Sequence, residues 1–71
     1  MNKEANEEIR NMMQECKVGL EDIGNERGVT RQAIHNKLLK ELSDEEKQAI
    51  MQDIANVTQR RAQRAEEVIN A

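Results

Sequence analysis

Apolar side chains in this chain fall at the three- and four-residue steps of helices. Ile9, Met12, Met13 and Cys16 make one stripe on a segment over about residues 3–17, with Glu4, Glu7, Glu8 and Arg10 mostly off it. Gly19 then permits a bend. A short helix over about 20–27 follows, with Leu20 and Ile23 inward and Glu21 and Asp22 in the first turn, where the helix dipole favours negative charge. Gly28 suits the left-handed position just past a helix end. Val29 is expected to plug into the core at the turn, and Thr30 to cap the next helix by accepting from a backbone N–H two or three residues on. That third helix is expected from Arg31 to about Leu42, with Ala33, Ile34, Leu38 and Leu42 as its inward face.

Ser43 and Glu46 have the spacing of a capping box, which opens a last helix over 44–70 that no breaker interrupts. Ile50, Ile54 and Val57 continue the inward stripe, and Ala62, Ala65, Val68 and Ile69 form a weaker one. About 26 residues at ~1.5 Å each make nearly 40 Å, longer than so small a core can cover. The last turns must therefore protrude, fray or meet a partner. Met51, Ala55, Thr58, Ala62, Ala65 and Ile69 recur at steps of four and three, a heptad-like seam. The expectation is packing inside the monomer at its start and against a second subunit later, giving a homodimer. Arg60, Arg61 and Arg64 read as solubilising charges paired i to i+4 along the helix or with Glu66 or Glu67 of a second chain, with phosphate contact as the alternative.

No stretch alternates apolar and polar with the period of a strand, so the expected fold class is all-α: four helices, the first three a core and the fourth long. Seventy-one residues make one domain, 1–71, with a thin core. The chain has no aromatic residue, which removes the stacking platforms that bind single-stranded nucleic acid. No apolar run is long enough to span a membrane, and the start, Met1-Asn2-Lys3-Glu4, lacks an apolar signal-peptide centre. The expected compartment is the cytoplasm. With one His and one Cys, a zinc cluster within the chain is not expected. No Gly-rich phosphate loop or nucleophile elbow is present, so neither an enzyme nor a cofactor nor a small-molecule ligand is expected. Cys16 reads as a small core hydrophobe.

The formal net charge is −3, but it is unevenly spread: −2 over residues 1–16, +1 over 17–42 and −2 over 43–71. The one segment that is not acidic also carries the best motif. Leu20-Glu21-Asp22-Ile23-Gly24 leads through Gly28-Val29-Thr30 to Arg31 and Ile34, a helix, three-residue turn and helix over 20–42. Gly24 lies where one helix presses on the next and a tiny side chain is needed. These residues, about a third of the chain, resemble the helix-turn-helix of bacterial sigma-factor region four and of small phage and plasmid transcriptional regulators.

The resemblance implies that the helix after the turn enters the major groove of double-stranded DNA. Carried over by position, Thr30, Arg31, Gln32, His35 and Asn36 would face DNA, with Lys37 and Lys40 near phosphates. Arg31 can form a bidentate pair with guanine, and Gln32 or Asn36 with adenine. No acidic residue lies between Thr30 and Lys40. The expected function is sequence-specific binding of double-stranded DNA by a small regulator of transcription from a phage or mobile element. The alternative is a helical interaction module docking on a host protein such as RNA polymerase or a nuclease, which the overall negative charge favours.

Overall fold

The structure, a computed structural model, describes residues 5–70. It contains four helices and, among the described residues, no strand: α1 (Glu7–Cys16), α2 (Leu20–Arg27), α3 (Arg31–Leu38) and α4 (Asp44–Asn70). The fold is all-α with a long carboxy-terminal helix. The part of the expected first helix before residue 5 lies outside the described residues.

Each boundary has a local cause. At the start of α1, Asn6 adopts a left-handed backbone (φ 58°). At its end Lys17 does the same (φ 56°), and the Val18 N–H returns to the Met13 carbonyl at 2.9 Å, closing the helix. The Gly19 N–H donates to Asp22 Oδ2 at 2.9 Å, so an acid in the first turn of α2 satisfies a donor just ahead of it. Ahead of α4, Ser43 Oγ accepts from the Glu46 N–H at 3.3 Å, as the cap spacing predicts.

The core is aliphatic. Ile9, Val18, Ile23, Ile34, Leu38, Ile50, Ile54 and Val57 are buried, and Met12, Met13, Cys16, Leu20, Leu42 and Met51 pack against them from the edge. Helix α2 packs on both α3 and α4, while α1 packs on α4. Val18, in the short α1–α2 connection, joins the core although it belongs to no helical stripe.

Three expectations need correction. The third helix ends at Leu38, four residues early, because a side chain replaces its next turn. Asn6 Nδ2 donates to the carbonyls of Leu38 (3.0 Å) and Lys40 (2.7 Å), and Asn6 Oδ1 accepts from the Leu42 N–H (2.8 Å). Asn6 is fully buried with its amide satisfied, and its own N–H donates to Glu41 Oε1. Secondly, Val29 is 45% exposed instead of plugging the core. Backbone atoms fill the α2–α3 joint, so its side chain turns outward. Thirdly, Ala33 is exposed. A two-turn helix offers its neighbours one narrow ridge, and Ile34 and Leu38 occupy it.

Helix α4 outruns the core as its length implies. Residues 59–69 are all exposed, Val68 and Ile69 by 70% and 79%. No helix among the described residues is long and apolar enough to cross a membrane.

Candidate functional site

The joint between α2 and α3 fixes how α3 is presented. A Cβ added at Gly24 would stand 2.7 Å from the Val29 carbonyl oxygen and 3.2 Å from the Thr30 carbonyl carbon. Only glycine lets the turn come this close, and the Val29 N–H uses the proximity to donate to the Gly24 carbonyl at 2.8 Å. Gly28 provides the left-handed step (φ 77°) that reverses the chain. Thr30 then caps α3, its Oγ1 accepting from the Ala33 N–H at 3.1 Å. The expected roles of Gly24, Gly28 and Thr30 are those the structure gives them.

With Ile34 and Leu38 locked into the core, the other positions of α3 are set by helical rotation. Thr30, Arg31, Gln32, His35 and Asn36 are exposed, and Lys37 is half-buried at the flank. Lys40 is exposed but lies beyond the end of α3, in the connection to α4, so the helix does not align it with the others. The structure thus gathers Thr30 to Lys37 on one short element and leaves Lys40 beside it.

Two features of this face bear on its chemistry. Gln32 Nε2 donates to Asn36 Oδ1 at 3.1 Å, linking two exposed amides one turn apart. The side chains of Arg31, His35, Lys37 and Lys40 form no ion pair or hydrogen bond among the described residues. Elsewhere most cations are engaged, Lys17 and Arg64 being without a side-chain partner among the described residues. Arg27 pairs with Asp53 at 2.7 Å, joining α2 to α4. Lys47 pairs with Glu41, and with Glu8 at 3.5 Å.

Two of the three clustered arginines of α4 pair back onto the fold. Arg60 pairs with Glu26. Arg61 donates to the Lys17 carbonyl and to Asp22 Oδ2, each at 2.8 Å. Arg60 and Arg61 are therefore paired, but with acids of α2 in the same chain and not with neighbours along α4 or with a second chain. The Gly19 N–H first, and then Arg61, hold the Asp22 carboxyl below its ordinary value. In the same way the Asn6 N–H, and then Lys47, lower Glu41.

Sequence reasoning missed two members of the face. Val29 and Ala33 add exposed methyl groups, and with Arg27, Asn36 and Lys37 they line a shallow groove along α3. The signal for Ala33 was available. One residue before Ile34 it lies about 100° round the helix, away from the Ile34–Leu38 ridge. No group of three or more His, Cys, Asp or Glu residues that could hold a metal occurs among the described residues. No family model, curated protein or solved structure matches this chain.

Proposed function

We propose that the chain binds double-stranded DNA in a sequence-specific manner, as a small regulator of transcription working in the cytoplasm. Helices α2 and α3 act as a helix-turn-helix, with the outward face of α3 in the major groove. The observation that carries the reading is that face itself. From Thr30 to Lys40 it has no acid, its cations have no partner among the described residues, and its amides are exposed. Unpaired cations are available to phosphates and guanine, and amides of this kind recognise adenine. The resemblance of residues 20–42 to phage and plasmid regulators suits a mobile-element origin.

One two-turn reading helix makes few contacts, so the working species in this reading is a homodimer. The exposed end of α4 supplies its seam through Ala62, Ala65 and Ile69, and two copies would read half-sites about one helical turn apart. Truncation after Val57 should then lower the mass seen by light scattering to that of a monomer. An unchanged mass removes the seam.

The decisive experiment is selection from random duplexes at ~150 mM salt, where sequence-independent binding fades and base readout persists. An enriched, two-fold related site is the expected result. The net charge of −3 favours a second reading, in which the helical surface docks on a protein. No enrichment, together with capture of a defined protein partner, overturns DNA binding in its favour.

A further inference from the structure

We infer that the outward face of α3 recognises an A·T base pair, with Gln32 and Asn36 acting as one coupled amide unit and a thymine methyl group resting on Val29 and Ala33. The inference rests on the DNA-binding reading and adds which base the face selects.

The coupling decides the chemistry. A lone glutamine or asparagine presents an oxygen and an NH2 group that can turn either way to suit several base edges. Here the Gln32–Asn36 hydrogen bond at 3.1 Å uses one N–H and one lone pair. It leaves the Gln32 oxygen as acceptor beside the Asn36 NH2 as donor. Reversing both amides exchanges the roles but still leaves an acceptor next to a donor. Adenine matches that pair in the major groove, with the N6 amine as donor next to N7 as acceptor. Guanine offers two acceptors there, so one would face the free oxygen unpaired. Cytosine offers a single donor and thymine a single acceptor. Because the bond already orders both side chains, binding loses less rotamer freedom than it would for two independent amides.

The apolar part of the face agrees with this choice. Gln32 and Asn36 lie one turn apart on the side of α3 away from Ile34 and Leu38, and Ala33 flanks Asn36 three residues before it, with Val29 ahead of the helix start. Val29 is 45% exposed, and with Ala33 it lines the groove that Asn36 also borders. Among the four bases of DNA, thymine carries a methyl group into the major groove. A thymine on the same or an adjoining base pair would bring that methyl onto these two side chains.

The test uses the full chain and the duplex that selection enriches. Adenines are replaced singly by 7-deazaadenine, which lacks the N7 acceptor, and thymines singly by uracil, which lacks the methyl group. One 7-deazaadenine should weaken binding about tenfold, the range of a bidentate base contact. Gln32→Ala, Asn36→Ala and the double variant should each lose about as much as one another, and the double variant should no longer sense that 7-deazaadenine. One uracil should weaken the native protein about threefold and the Val29→Ala variant by less, since Ala33 alone then meets the methyl. Melting temperatures show that the variants fold, and the modified duplexes report on the native protein regardless. Strictly additive losses, or an enriched site at which neither base analogue matters, overturn this inference and leave DNA binding standing. A selection that enriches no sequence overturns both.

Discussion

Two sets of amides border α3 and are placed in opposite ways. Asn6, at the carboxy-terminal end, is buried, and both atoms of its side-chain amide bond backbone groups of the α3–α4 connection. Gln32 and Asn36, on the outward face, bond each other and leave the rest of their capacity to solvent. The charges follow the same division. Arg27, Arg60 and Arg61 are paired between α2 and α4, whereas Arg31 and Lys37 on α3 are unpaired among the described residues. A saturated polar group holds a fold together because removing it orphans its partners; an unsaturated one remains available to a ligand. The difference separates the part of this molecule that maintains shape from the part that would recognise something.

Substitutions should therefore separate into those that change stability and those that change recognition. Asn6→Ala should have the largest effect, lowering stability by about 2–4 kcal/mol. It orphans the Lys40 carbonyl and the Leu42 N–H at about 1–3 kcal/mol each before water returns, leaves the Leu38 carbonyl only a 3.5 Å contact from Arg10, and places alanine at a left-handed φ. Chemical denaturation measures this, and a loss under 1 kcal/mol would remove Asn6 as the tie. Gly24→Ala should cost about 1–3 kcal/mol, because its Cβ meets a backbone carbonyl that cannot rotate away. It should also weaken duplex binding at temperatures where the variant is folded, since α3 must shift.

Arg31→Ala and Arg61→Ala set the two regions directly against each other. Arg31→Ala should weaken binding to the preferred duplex by about 1–3 kcal/mol with an unchanged melting temperature. Equal weakening on every sequence would make Arg31 a phosphate contact instead. Arg61→Ala should change stability by less than about 1 kcal/mol, as exposed pairs do, and should leave binding unchanged.

The smallest effect is that of pH. Asp22 and Glu41 both have folded-state values below their ordinary 3.8 and 4.5. The unfolded chain therefore takes up protons first as pH falls. The stabilisation is complete above those ordinary values and is lost progressively below them. Melting temperature should be flat from about pH 7 to about pH 5 and fall below pH 4.5, more shallowly in Glu41→Gln. An equal acid slope in that variant would separate Glu41 from the effect. Lys47, raised by its hydrogen bond to Glu41, gives the mirror case: its contribution holds below 10.5 and fades as pH rises past it.

Much of this architecture is legible residue by residue. Ile9, Ile23, Ile34, Ile50, Ile54 and Val57 fall at helical spacing, and each is buried. Gly24, Gly28, Thr30 and Ser43 act where turn and cap chemistry places them. The exposure of Gln32 and Asn36 was also legible, since helical rotation turns them away once Ile34 and Leu38 face inward; Thr30, Arg31 and His35 are exposed as well. The exceptions are long-range. Nothing local marks Asn6 as a partner for residues 38–42, so the early end of α3 could not be read from spacing alone. The apolar character of Val29 pointed to burial, yet the backbone of its own turn takes the space beside Gly24.

What the sequence determines by itself is the set of helices and the punctuation between them, because periodicity, glycine and capping act over three or four residues. Tertiary structure decides how far each helix runs and which polar groups stay free, because those outcomes depend on residues 26 to 44 positions apart meeting in space. Arg27 finds Asp53, Arg61 finds Asp22, and Asn6 finds the α3–α4 connection; Arg31 meets none of them.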